Sequence, residues 1–133
     1  MSTTYYALFH ALARNCADML IGTSKTSRSR HAWTEVYRSP AHRLARAACE
    51  DRSVIAKFPA DIVNFASAFA DLQSKRNSAD YDPGAKYYKS AILVEIDRAE
   101  TAILGLSKAS LKDRRAFASW VLFRNITNKG KER

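Results

Sequence analysis

Apolar residues recur along this chain at steps of three and four, and no stretch alternates singly as a half-buried strand would. In "YYALFHALARNCADMLI", Tyr5, Leu8, Phe9, Leu12, Cys16, Met19 and Leu20 make one face of a helix that Gly22 can stop. The period is lost in "GTSKTSRSRH", a polar and basic stretch that reads as an exposed loop. Two short helical stretches follow, "HAWTEVYR" and "AHRLARAACED", divided at Ser39-Pro40 because a residue before proline avoids the helical region. From Pro59 to Gln73, Ile62, Val63, Phe65, Ala66, Phe69 and Leu72 form a second long stripe, with Pro59 and Asp61 suited to its first turn and an end expected near Asn77. Asp82 as N-cap and Pro83 at the first helical position open the next helix. Tyr87, Ala91, Val94, Ile96, Ala99 and Ile103 keep it in register as far as Gly105. A last helix starts at "SLKD", where Ser110 and Asp113 resemble a capping box with a shortened acid, and Phe117, Trp120, Val121 and Phe123 face one side. The tail from Asn125 reads as frayed. The pattern therefore predicts an all-α fold, a bundle of four to five helices in one domain over residues 1–124, with a basic flexible tail over 125–133.

Charge gives this helical frame a direction. The 133 residues carry 22 Lys and Arg against 13 Asp and Glu, a net +9, which favours a polyanionic partner such as RNA or DNA. Residues 1–57 hold 9 basic and 4 acidic groups, 58–105 hold 5 and 7, and 106–133 hold 8 and 2. The two ends are thus expected to build basic surfaces around a slightly acidic centre. The loop cations Lys25, Arg28 and Arg30, together with Arg43 and Arg46, are the expected phosphate-contacting face. The two cysteines, Cys16 and Cys49, sit in apolar helical patterns and read as reduced core thiols. No apolar run approaches the roughly 18 residues of a membrane span, and the N-terminus lacks a basic n-region and cleavage site, so a cytoplasmic chain without a membrane partner is expected.

Few residues are placed for catalysis. His10, His31 and His42 have no Cys, His or carboxylate at zinc-ligand spacing, and the four glycines are scattered rather than gathered in a phosphate loop, so neither a metal nor another cofactor is expected. His10, between Phe9 and Ala11, reads as a hydrogen-bonded histidine at the core edge. The richest stretch is "KRNSADYDPG", Lys75 to Gly84, read as a functional turn. There Arg76 with Asn77, Asp80 and Tyr81 can clamp a phosphate, while Asp82 serves the next helix as a cap. A structural alternative pairs Arg76 with Asp80 to tie the turn.

Taken in order, "YYALFHALARN", "SKT" after the first helix and "RNSADYD" resemble the HEPN superfamily of small helical proteins, over roughly residues 4 to 105. The resemblance implies an up-and-down bundle that dimerises and works beside a minimal nucleotidyltransferase in toxin-antitoxin or defence operons. Its ribonuclease members carry Arg, a polar residue, three variable residues and His. Here Arg76 and Asn77 begin that signature, but Tyr81 stands at its last position. A tyrosine titrating near 10 does not replace a base titrating near 6.5. The resemblance also makes Tyr81 a possible target for adenylylation by the partner. The chain also begins almost at "YYALFH", one helix short of the family pattern, and the helix from Ser110 to Phe123 could fill that slot within the protomer or across a dimer. The expected function is an RNA- or nucleotide-binding regulatory module. The alternatives are a metal-independent endoribonuclease, with Arg76, Asn77, Asp80 and Tyr81 as its site, and a structural adaptor for a nucleotidyltransferase.

Overall fold

A computed structural model describes the backbone of residues 3–81 and 89–131, and the side chains of residues 3–75 and 89–124. The described residues form seven helices and no strand: α1 (Thr3–Ile21), α2 (Arg30–Arg38), α3 (His42–Glu50), α4 (Arg52–Ile55), α5 (Ala60–Tyr81), α6 (Lys89–Lys108) and α7 (Leu111–Lys131). The all-α expectation holds, while the element count exceeds four to five because the middle of the chain folds as three short helices.

Local signals account for most boundaries. Gly22 ends α1 at φ 135°, a left-handed conformation that a side chain would strain. Ser29 caps α2, its hydroxyl accepting from the Ala32 amide at 3.2 Å. Ser110 caps α7 as expected, the Asp113 amide donating to its Oγ at 3.2 Å, while Asp113 Oδ2 accepts from that same hydroxyl at 2.7 Å, a variant of the capping box in which the acid bonds the cap side chain. Three expectations are corrected. Gly105 does not stop α6, which runs on to Lys108. Helix α5 passes Asn77 and reaches Tyr81, so the first part of "KRNSADYDPG" is helical backbone and not a turn; the Asp82 and Pro83 signals lie outside the described residues. The backbone from Asn125 to Lys131 belongs to α7 rather than fraying from it.

Helix α5 is the axis of the packing, in contact with α1, α3, α4, α6 and α7, and α1 joins α2, α5, α6 and α7. Tyr5, Leu8, Leu12 and Cys16 of α1 meet Ile62, Phe65, Phe69 and Leu72 of α5 and Phe117 of α7 in one continuous core. Phe65 lies edge-on to Phe117, with centroids 6.0 Å apart and planes at 79°. The flank of α3 is pinned to α7 by Trp120, whose indole N–H donates to the Ala48 carbonyl at 2.9 Å. Arg124 adds a second tie, lying 5.4 Å over the Trp120 ring and 3.6 Å from Asp51. No helix among the described residues is long and apolar enough to cross a membrane.

Candidate functional site

Opposite the apolar stripe of α1 runs a line of polar residues four apart, His10, Arg14 and Asp18. With α2, α6 and the start of α7 this line encloses an open cleft of about 780 Å³. The cleft is built around two anchored groups. Asp18, 11% exposed, accepts from Arg28 Nη1 at 3.0 Å and from the Trp33 indole N–H at 2.9 Å, with Arg14 Nε at 3.7 Å. Arg28 also donates to the Gly22 carbonyl at 3.2 Å and lies 4.5 Å over the Trp33 ring. The loop between α1 and α2 is thus folded back against α1 by a single carboxylate.

The second anchor is Asn15, buried at 2% exposure among apolar neighbours. Its Oδ1 accepts from Arg114 Nε at 2.9 Å and its Nδ2 donates to the Arg114 carbonyl at 3.2 Å. A buried amide is costly without partners, and both of its polar atoms are satisfied here by one residue of α7. This fixes the Arg114 guanidinium at the cleft wall, and no hydrogen bond among the described residues occupies its terminal nitrogens. His10 Nδ1 hydrogen-bonds the Tyr37 hydroxyl, and Tyr37 stacks on Trp33 at 5.1 Å and 16°. The cleft therefore carries Arg14, Lys25, Arg28 and Arg114 against one carboxylate, on an aromatic wall. A surplus of cations in a concave site concentrates field on an anion.

The residues expected as one basic face divide into two groups. Lys25 and Arg28 line the cleft, and Arg30 joins them with Trp33 and Thr34 around an adjoining hollow of about 280 Å³. Arg28 is spent on Asp18, which leaves the exposed Lys25 as the loop cation without an ion-pair partner among the described residues. Arg43 and Arg46 lie on α3, which packs on α5 and α7 instead. Arg46 donates to Glu50 at 2.8 Å and to Ser74 of α5 at 2.7 Å. The two groups part because Asp18 draws the loop onto α1, while Ala45, Ala48 and Cys49 draw α3 into the core. Arg76, Asn77, Asp80 and Tyr81 lie on the last turns of α5, and their side chains fall outside the described residues.

Sequence reasoning passed over Arg14, Asn15, Asp18, Trp33, Tyr37 and Arg114. Two signals were legible: the four-residue polar line His10–Arg14–Asp18, and an asparagine between the buried positions Leu12 and Cys16. His10 is hydrogen-bonded as expected, but to Tyr37 on the exposed face opposite the apolar stripe rather than at the core edge. His42, at the start of α3, is drawn against the core: it stacks on Phe9 at 3.9 Å and meets the buried Tyr5 hydroxyl at 2.6 Å through Nδ1. Burial pushes the Cys16 thiol up to about 12 and Cys49 higher still, consistent with reduced core thiols. Among the described residues, no three His, Cys, Asp or Glu gather as metal ligands. Compared with models of known protein families, with curated proteins and with solved structures, the chain matches none.

Proposed function

We propose that the chain is an RNA- or nucleotide-binding module that holds its ligand by phosphate in the cleft between α1, α2 and α7. One observation carries the reading: Arg14, Lys25 and Arg114 line a single cleft in which Asp18, the only acidic lining residue among the described residues, is already paired with Arg28. A guanidinium held by its Nε, as Arg114 is by Asn15, keeps two N–H-bearing nitrogens for a phosphate without losing side-chain freedom on binding. The volume is of the size that takes a nucleotide, and its open mouth leaves room for a chain to continue. The exposed imidazole of His10, fixed on Tyr37, offers a polar edge or a ring face to a base. These groups bind and orient a ligand, and the proposal stops at binding.

The reading rests on the cleft and not on the family resemblance. Ribonuclease activity is tied to Arg76, Asn77, Asp80 and Tyr81, and the nucleotidyltransferase partner and the toxin-antitoxin or defence setting to the resemblance alone. No described contact favours them.

The test is a titration of a labelled single-stranded RNA and of ATP, read by anisotropy and by competition. Arg14→Ala and Lys25→Ala should each weaken binding about tenfold, the scale of one charge-assisted contact. Each should flatten the log-log salt dependence for RNA by roughly 0.7. Arg46→Ala, whose guanidinium is held by Glu50 and Ser74, should change neither. Binding indifferent to the first two variants would remove the cleft from the function.

A further inference from the structure

Helix α6 leaves an unusual amount of apolar surface open. Ile92 is 40% exposed, Leu93 56%, Val94 68% and Ile96 37%. They follow one another within two turns of a helix whose other side is fully engaged. Ala99, Ala102 and Leu106 are buried, Glu95 lies 3.5 Å from Lys75, and Arg98 donates to Asp71 at 2.9 Å and to Ser67 at 3.2 Å on α5. Side chains on a helix meet others on the same face at steps of three and four. Lys89, Leu93, Ile96 and Glu100 stand at steps of four, three and four, all exposed, on a face turned away from Glu95, Ala99, Ala102 and Leu106. The face is therefore an apolar pair between a cation and an anion. Neither charged residue has an ion-pair partner among the described residues, where Lys75, Arg98 and Arg124 each find one.

The order of these four residues points to the occupant. Read from either end, the face runs charge, apolar, apolar, charge at the same spacing, with the two charges opposite in sign. Such a stripe is complementary to itself when reversed. Two copies crossing antiparallel about a two-fold axis between Val94 and Glu95 set Leu93 of each against Ile96 of the other, and Lys89 of each against Glu100 of the other. A two-fold interface requires this self-complementarity, since the same patch must serve both partners. A parallel arrangement would set Lys89 on Lys89 and Glu100 on Glu100. A partner of different chemistry, such as an anionic lipid surface, would gain nothing from the glutamate.

We propose that the N-terminal half of α6 is the site at which two copies of this chain pair antiparallel, with Leu93 and Ile96 as its apolar centre and Lys89–Glu100 as its reciprocal ion pairs. The pairing uses the N-terminal half of this stripe, whereas the cleft takes Leu106 and the continuation of the stripe, Ile103 and Ser107, from the C-terminal half of the helix. It stands whether or not the cleft binds RNA. Ion pairs at the rim of such an interface set register and orientation more than affinity, and the two leucine–isoleucine contacts supply the attraction.

The experiment is sedimentation of the full chain at concentrations from about 1 to 100 μM, with helicity and melting followed in parallel. The wild type should sediment as a dimer at the upper end. Leu93→Glu should give a monomer of unchanged helicity, since more than half of this side chain is exposed in the protomer. Lys89→Glu and Glu100→Lys should each raise the dimer dissociation constant about tenfold, by placing like charges opposite one another twice. The double variant Lys89→Glu with Glu100→Lys should return it to near the wild-type value. A wild-type monomer at 100 μM would overturn the proposal and leave the stripe to another partner. A dimer indifferent to Leu93→Glu, or a double variant no better than the single ones, would overturn it equally.

Discussion

Helices α5 and α6 lie side by side, differ by two residues in length, and both carry apolar residues at three- and four-residue steps. Ile62, Phe65 and Phe69 of α5 are fully buried, whereas Leu93 and Val94 of α6 are more than half exposed. Apolar content does not separate the two, and neighbours do: α5 touches five other helices, α6 chiefly α5 and α1. A three-four stripe states which side of a helix can be buried, and only the tertiary arrangement states whether anything arrives to bury it.

The sharpest way to break this comparison is to truncate one large side chain on each helix. Phe65→Ala empties space against Phe69 and Phe117 and should cost about 3 to 5 kcal/mol. Leu93→Ala, measured in a solution dilute enough to keep the chain monomeric, should stay within about 0.5 kcal/mol. Urea midpoints for the two variants decide it. Comparable losses would mean that α6 is covered within the protomer.

A second contrast sets the dry side of α1, where Leu8, Leu12 and Cys16 meet only carbon-rich neighbours, against its seam with α7, where Asn15 bonds Arg114. Asn15→Ala removes both bonds and leaves the Arg114 Nε and carbonyl to find water in a confined place. About 1 to 3 kcal/mol should be lost. RNA affinity should fall as well, because the guanidinium is no longer held at the cleft wall. Stability lost with affinity unchanged would show that Arg114 stands outside the binding site.

How much of this was legible in the sequence follows the same division. The stripe of α1, the loop closed by Gly22, the capping box at Ser110 and the break at Pro40 each depend on residues a few positions apart, and each was readable. The cleft depends on pairs such as Asn15 with Arg114, 99 positions apart, and no local rule joins them. The basic face was half legible: Lys25, Arg28 and Arg30 do cluster, but local sequence does not reveal that Asp18 neutralises Arg28 or that α3 carries Arg43 and Arg46 to another flank. Gly105 misled because a glycine can stand inside a helix at a cost of about 1 kcal/mol against alanine, and the residue alone does not say whether the helix ends there.

The core that α5 organises also holds Cys16 and Cys49, and this gives the buried side of the molecule a pH dependence. The Cys16 thiol is pushed up to about 12 in the folded chain by burial, from an ordinary value of 9.0. Its stabilising contribution is therefore fully present below pH 9, where both states hold the proton. Above that the unfolded chain ionises first, and stability falls as pH rises toward 12. The loss should approach about 1 kcal/mol per pH unit for the thiol. Melting curves at pH 8 and pH 10 check it: Cys16→Ala should narrow the gap between the two, and an unchanged gap would remove the thiol from the explanation.

The smallest effect lies on the line where α5 and α6 touch. Gly105 is inside α6, and a Cβ built on it would stand 3.3 Å from Asp61 Oδ1 and 3.6 Å from Asp61 Cγ. That is close enough that the neighbour must yield by a few tenths of an ångström. Asp61 is exposed in the first turn of α5, and the crowding atoms are the end of its side chain rather than backbone, so its carboxylate can turn into solvent. Against this small cost, alanine in a helix interior is better than glycine by about 0.8 to 1.0 kcal/mol. Gly105→Ala should therefore raise stability by roughly 0.5 kcal/mol, read as a higher urea midpoint at unchanged slope. A lower midpoint would mean that α5 and α6 need the bare backbone to approach, and that the edge helix is held more closely than its exposed leucines suggest.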